Sequence, residues 1–284
     1  MHNLKTPTFV EHACAGAFID QCATWLSQQE DLNHGLLSLA YVLRSNRHIY
    51  SSPFVFCHVA KEEEILGCAI FAEPDGLVLS EMNSETSAEF FSYLYDKIDM
   101  PSRIFGPVAP AMQLAELFAQ ASNSTPEVHS KWRVHRLDSP LLQEIKGPGQ
   151  VTQGTMADQR LVSMWGREYN VEKPANVNIE HFLLRKLEDG LLYFWTDGEP
   201  KSLATLSGTC CTGPRISSVF TPRVARGRGY AFALVSNLGN SQFASGSSYV
   251  TLNTQVGDSV ENMYCRIGYR VIGEKASIVF RKNV

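Results

Sequence analysis

One segment of this chain combines glycine, arginine and a change from strand to helix in a way that suits an anion. It reads Val219-Phe220-Thr221-Pro222-Arg223-Val224-Ala225-Arg226-Gly227-Arg228-Gly229-Tyr230-Ala231. A β-rich stretch ends at Pro222 and a basic loop follows. Then Ala231, Leu234, Val235 and Leu238 recur at the i, i+3, i+4, i+7 spacing of a helix with one apolar face. The start of a helix presents backbone N–H groups without intrahelical partners, and the macrodipole adds positive charge there. Gly227 and Gly229 would let a phosphate approach with no Cβ in the way, and Arg226 and Arg228 would add full charges. Ordinary surface turns carry the same residue types, so the segment takes its meaning from its context.

That context is a second motif about 35 residues on, Glu261-Asn262-Met263-Tyr264-Cys265-Arg266-Ile267-Gly268-Tyr269. Asp258 and Glu261 have capping-box spacing at the start of a helix, and Gly268 suits its stop. The run Arg226-Gly227-Arg228-Gly229-Tyr230-Ala231 resembles the Q/R-x-x-G-x-G/A acetyl-CoA-binding motif of the GNAT superfamily of N-acetyltransferases, with Pro222 four residues before the arginine. The later run resembles that superfamily's helix reading Y-x-x-x-G-F/Y. The resemblance covers roughly residues 155–284 and is nearest to glycine N-acyltransferase-like domains.

The resemblance implies a mechanism. Backbone N–H groups from 227 to 231 hold the CoA pyrophosphate. The strand Val219, Phe220 and Thr221 pairs with the pantetheine arm, and one of its N–H groups polarises the thioester carbonyl. Asn253 on a later strand contacts the pantetheine. A primary amine attacks the acetyl group directly, and Tyr264 protonates the departing thiolate; a phenol of pKa about 10 can donate to a thiolate whose thiol titrates at about 8.5. The alternative reading of Tyr264 is a helix residue packed beneath the cofactor beside Val260 and Ile267. Gly257 departs from the pattern, standing where many members carry asparagine. For the general base, Asp197, Glu199 and His181 are all open, as is water. A non-catalytic acyl-CoA sensor is the alternative function, with a surface scaffold behind it.

The elements that position these residues alternate strand and helix in both halves, giving an α/β (α+β) class with a mixed central sheet flanked by helices. In the first half, helices cover about 16–28 and 32–43, strands 54–60, 65–71 and 76–80, a helix the Phe90–Ile98 stripe, then strand 103–108, helix 111–121 and strand 127–137. The last strand sets Val128, Trp132 and Val134 on one face and His129, Lys131, Arg133 and His135 on a solvated one. A loop around Gly147-Pro148-Gly149 separates the halves. The second half repeats the order: helices 156–169 and 178–188, strands 191–195, 203–211 and 215–221, helix 229–244, strand 248–255, helix 259–267 and a terminal hairpin. Duplication of one unit follows, with domains at 1–145 and 150–284. The first copy reads Ser80-Glu81-Met82-Asn83-Ser84-Glu85-Thr86 where the glycine loop belongs, and its later helix has no tyrosine. Acidic side chains there repel a pyrophosphate. The first half is therefore a degenerate GNAT-like domain without a CoA site, walling the cleft or stabilising the second.

Composition narrows the rest. At 284 residues the chain holds two domains or one large one. A net charge of -4 leaves no basic excess to neutralise nucleic-acid phosphates. The N-terminal stretch carries no secretory signature and no apolar run reaches membrane length, so a cytoplasmic protein is expected, without a membrane partner. Its seven cysteines show no C-x-x-C pair and no zinc spacing, so reduced packing thiols are expected, Cys210 and Cys211 among them, and no metal. The expected partners are acetyl-CoA and a small-molecule or peptide amine, with the chain a monomer or homodimer.

Overall fold

The structure, a computed structural model, describes residues 7–45, 50–141, 148–173, 178–207, 212–257 and 261–283. The chain runs β1 (Thr8–Glu11), α1 (Ala15–Leu26), α2 (Glu30–Ser45), β2 (Ser51–Lys61), β3 (Glu64–Glu73), β4 (Gly76–Leu79), α3 (Ser84–Tyr95), β5 (Arg103–Pro107), α4 (Val108–Ser122) and β6 (Ser124–Leu137). It continues β7 (Gln150–Gln153), α5 (Gln159–Glu172), α6 (Ile179–Glu188), β8 (Leu192–Asp197), β9 (Glu199–Ser207), β10 (Arg215–Phe220), α7 (Tyr230–Ala244), β11 (Val250–Gln255), α8 (Glu261–Ile267) and β12 (Arg270–Lys282). One order of strand, two helices, three strands, helix, strand, helix, strand therefore occurs twice.

Two compact units form, but a single cut between 145 and 150 does not separate them. One comprises Met1–Val134, Thr254–Asp258 and Ile272–Val284; the other comprises His135–Asn253 and Ser259–Val271. In the first, the strand order is β1-β2-β3-β4-β5-β12-β6. Neighbours are antiparallel from β1 to β4, β4 and β5 are parallel, and β12 runs antiparallel to β5. In the second the order is β7-β8-β9-β10-β11, antiparallel until the parallel β10–β11 pair.

Helical patterning places the cores. Along α1 the buried residues Ala15, Phe18, Ile19, Cys22 and Leu26 form one stripe, and along α4 Ala111, Leu114, Ala115 and Phe118 form another. In the first unit the sheet is covered on both faces, so its strands read as near-continuous apolar runs. Val55, Cys57, Val59, Ala69 and Phe71 join the core with Phe90, Leu94 and Leu114. Phe56, Cys68, Ile70 and Ala72 turn the other way, toward Phe18, Leu36 and Leu43. In the second unit Leu203, Phe194 and Phe220 pack with Trp165 and Leu183, while Ala204, Leu206 and Ile216 pack with Leu234, Leu238 and Tyr264.

Three expectations need correction. The terminal hairpin is one continuous strand, β12, of thirteen residues. Its Ala276 and Ile278 are fully buried in the core of the first unit, and no turn could be accommodated there. His135 does not face solvent: Val134, His135 and Leu137 are 1%, 0% and 3% exposed, because the end of β6 is covered on both faces. Short strands β1 and β7 lie where no strand was expected, β7 within the stretch read as loop. Between β8 and β9 the chain reverses at Gly198 alone, φ +69°, with Asp197 pairing directly with Glu199. Cys210, Cys211, Asp258 and Val260 lie outside the described residues. Among the described residues no helix is long and apolar enough to cross a membrane.

Because β12 is a central strand of the first unit, that unit cannot be complete without it. A chain stopped after Tyr269 is expected to lose cooperative unfolding of the first unit and to aggregate through the bared β5 edge. Ile278→Ala in the full chain should lower the urea-unfolding free energy by about 2–5 kcal/mol. A soluble, cooperatively folding truncation would show that β12 is dispensable.

Candidate functional site

The second unit brings the glycine loop, the strand before it and the tyrosine helix together. β10 and β11 pair in parallel at Arg215↔Thr251 and Ile216↔Leu252, and the register between them extends no further although each strand runs on. Asn253 is thus the first residue past the paired stretch. On its other side β10 bulges: Ser217 opposes Thr205 and Phe220 opposes Leu203, so two residues of β10 face one of β9. Ser218 within the bulge adopts φ +50°, the left-handed region that a non-glycine residue enters at a cost.

Side chains from β9 hold this irregular backbone. The buried Thr205 hydroxyl donates to the Ser217 carbonyl at 3.1 Å, and the buried Ser202 hydroxyl donates to the Phe220 carbonyl at 2.9 Å. Ser202 also lies 2.9 Å from the Thr221 hydroxyl, and Thr205 lies 2.9 Å from that of Ser217. Such bonds compensate carbonyls that regular ladder pairing would have satisfied.

Past Pro222 the chain makes one tight turn, with the Ala225 N–H donating to the Pro222 carbonyl at 2.8 Å. Gly227 and Gly229 then take φ +75° and +79°. A Cβ at either would meet nothing within 4 Å. Within the chain, then, it is the left-handed backbone conformation that calls for glycine at both positions. Gly229 is the residue before α7, no side chain caps that helix, and the first intrahelical bond runs from Ala233 N–H to the Gly229 carbonyl. The N–H groups of residues 229–232 have no partner within the helix.

The two arginines differ. Arg226 donates through Nε to the Thr221 carbonyl at 2.8 Å and through Nη2 to Glu172 at 2.5 Å, so it ties the loop to the strand end and to α5. Glu172 also accepts from Arg223 at 2.9 Å. The hydrogen bond from Arg226, and then that from Arg223, hold its carboxyl below the ordinary glutamate value. Arg228 is exposed, leaving it as the arginine able to meet an incoming anion. Tyr230 is buried and its hydroxyl donates to Asp197 at 3.2 Å, while Ala231 lies in the first turn.

Tyr264 is 6% exposed, in the same core as Ile216, Tyr230, Leu234 and Leu252. Its ring lies 6.2 Å from that of His135 and 6.3 Å from that of Tyr269. Gly268, at φ +109°, ends α8 in a Schellman arrangement: its N–H donates to Cys265 and the Tyr269 N–H donates to the Tyr264 carbonyl. The glycine four residues after the tyrosine thus fixes the backbone carrying that tyrosine. Cys265 is exposed and Ile267 buried, as helical spacing requires.

Among the base candidates, Glu199 is exposed and pairs with Lys201 at 2.8 Å, which lowers its carboxyl pKa. The His181 backbone N–H is bound by the Asn178 side chain at 3.3 Å. Asp197 accepts from Tyr230. Glu172, Ser202, Thr205 and the Ser218 bulge carry no signal in residue type or spacing, since each acts on backbone geometry that appears only after folding.

The corresponding place in the first unit is closed. The Asn83 side chain accepts from the Thr86 N–H at 2.8 Å, and the Asn83 carbonyl accepts from the Ser87 N–H at 3.0 Å. Helix α3 thus caps its own N-terminus, where α7 leaves its own open.

Solved structures similar to the chain along its length include a GCN5-related N-acetyltransferase from Sphaerobacter thermophilus, 19% identical, with 96% of this chain and 95% of that one covered at a TM-score of 0.58. A tandem GNAT protein from the clavulanic acid biosynthesis pathway is 12% identical, with 98% of each chain covered and a TM-score of 0.56. A GNAT-family acetyltransferase from Colwellia psychrerythraea is 10% identical, with 98% and 100% covered and a TM-score of 0.56. No family model matches the chain, and no curated protein does. The fold is that of a tandem GNAT protein.

Two outcomes follow from the loop. Gly227→Ala and Gly229→Ala should each destabilise the fold by about 1–2 kcal/mol, the cost of forcing an L-residue into the left-handed region, with asparagine costing less. Equal stability of the alanine and glycine chains in urea would show that these conformations are not held. Glu172, its pKa lowered on folding, contributes stability at neutral pH that is lost as pH falls below about 4.5 toward its folded value. Glu172→Gln should therefore flatten the acid limb of stability measured from about pH 6 to about pH 3.

Proposed function

We propose that the chain is a GNAT-type N-acetyltransferase, which moves an acetyl group from acetyl-CoA directly to a primary amine, with one working site, in the second unit. The observation that carries this reading is the start of α7. A left-handed glycine, no side-chain cap and the exposed Arg228 together favour a pyrophosphate. The parting of β10 from β11 beyond Ile216 supports a second contact, in which an extended amide-bearing arm takes the place of a strand.

Acetyl-CoA supplies the activated thioester. Backbone N–H groups from 227 to 231, with Arg228, hold the diphosphate; Arg226 keeps the loop in place through Thr221 and Glu172. An N–H group of Val219, Phe220 or Thr221 polarises the acyl carbonyl, and Asn253 orients the arm. Ser202 and Thr205 keep the bulged backbone fixed, so its donors need not reorganise as charge develops. The amine gives up its proton to solvent or to a local carboxylate. The Tyr264 phenol donates its proton to the departing sulfur and then regains one from solvent. A cytoplasmic setting and a cationic small-molecule or peptide acceptor fit the mild acidity of the chain.

A second reading, an acyl-CoA sensor without turnover, draws on the burial of Tyr264 among aromatic rings, a position suited to packing as well as to chemistry. Titration of acetyl-CoA into the purified chain should give one site per chain, lost in Gly229→Glu. Tyr264→Phe should then lower CoA release by about 10²-fold or more with affinity retained. Two sites would overturn the closed first unit, and no binding would overturn the acetyltransferase reading. Unchanged turnover in Tyr264→Phe would remove the general acid, and the absence of CoA release with any amine despite binding would favour the sensor.

A further inference from the structure

The core of the first unit contains a polar island that acyl transfer does not use. On β1 and β2, Val10 pairs with His58; on β2 and β3, His58 pairs with Cys68. Cross-strand partners share a face, and His12, two residues beyond Val10, continues that face with its N–H bound to the Phe56 carbonyl at 2.8 Å. From α1 the buried stripe points Cys22 at the same spot. The residue just after β1 thus meets side chains from α1 and β2: His12 Nε2 lies 2.9 Å from His58 Nδ1, and Cys22 Sγ lies 3.5 Å from His58 Nδ1 and 3.8 Å from His12 Nε2.

These separations match a known coordination geometry. Around a tetrahedral zinc with bonds of about 2.0–2.1 Å to nitrogen and about 2.3 Å to sulfur, ligand nitrogens lie about 3.3 Å apart and nitrogen and sulfur about 3.6 Å apart. Every edge of the triangle is within a few tenths of an ångström of those values. The ligand types are those a thiophilic divalent ion selects. Cys22 and His58 are 0% and 3% exposed, whereas His12 is half-buried and forms the way in.

The surroundings argue against simpler roles. Phe18, Phe56, Ile70 and Leu36 line this core, so apolar residues would fill the space without the cost of burying polar groups. A nucleophile is excluded by access, since Cys22 is fully buried.

We propose that His12 Nε2, Cys22 Sγ and His58 Nδ1 form a zinc-binding centre in the first unit. Loading transfers any remaining Cys22 proton to solvent and involves no redox change. The ion ties β1, α1 and β2 together, a structural task independent of the acyl-transfer reading. The spacing of these residues along the chain shows no zinc pattern; the fold gathers them.

The test uses the full chain, stripped with chelator and reloaded with zinc(II) or cobalt(II) alone. Elemental analysis should find one zinc per chain, cobalt should give thiolate-to-metal charge-transfer absorption, and zinc should raise Tm. Cys22→Ser should abolish the cobalt absorption. Should that core variant not fold, His12→Ala, at the half-buried mouth, should weaken zinc binding by about 100-fold or more with the far-ultraviolet spectrum unchanged. Cys265→Ser, an exposed thiol elsewhere, should change none of these readings. A folded wild-type chain that takes up no zinc would overturn the proposal. So would binding that survives both Cys22→Ser and His12→Ala, or that is lost in Cys265→Ser.

Discussion

A strand can leave its neighbour only if the backbone groups it uncovers find other partners, and the second unit is organised around that constraint. β10 stays beside β11 only as far as Ile216, then bulges at Ser218. The carbonyls of Ser217 and Phe220 turn toward β9 and are taken by the hydroxyls of Thr205 and Ser202. Everything downstream follows from where this strand ends. Pro222 stops it, Arg226 binds the Thr221 carbonyl just past its end, and α7 begins at the angle the loop allows. A small set of buried hydroxyls, each worth on the order of 1 kcal/mol, fixes a backbone whose value lies in its departure from regularity.

The two repeats show how little separates an open helix start from a closed one. The linker from β4 to α3 is four residues long and ends in Asn83; that from β10 to α7 is nine residues long and ends in Gly229. Asparagine brings its own acceptor and satisfies Thr86. Glycine brings none, and its left-handed conformation turns the first N–H groups outward. Within one order of elements, the two starts differ in the length of the linker and in the residue and backbone conformation that precede the helix.

Much of this was legible in the sequence, and the reason is local. Positive φ at Gly227, Gly229 and Gly268 is a demand of single residues, so it is written in residue type, and the helical spacing of α7 and α8 is equally short-ranged. The rest depends on partners distant along the chain. His135 looks like one residue of an alternating solvated strand until both faces of β6 are covered. Nothing in the residues around Arg226 announces its pairing with Glu172, which comes from another helix. His12, Cys22 and His58 form no pattern because the register of β1 on β2 brings them together. β12 has the alternation of any strand, and nothing in its residues states which unit it will join.

That last strand has a consequence in time. β12 pairs with β5, a partner made about 170 residues earlier, so the first unit is dominated at that edge by a contact of very high sequence separation. At synthesis rates of about 5–20 residues per second, the interval between making β5 and making β12 is on the order of 10–30 s. Throughout it, the nascent N-terminal unit holds its helices and β1–β5 with one sheet edge bare. The second unit, much of whose sheet is contiguous in sequence, can assemble before the first is sealed. Order of synthesis and order of completion are thus reversed, and a chaperone that shields strand edges would act on the part of the chain made first.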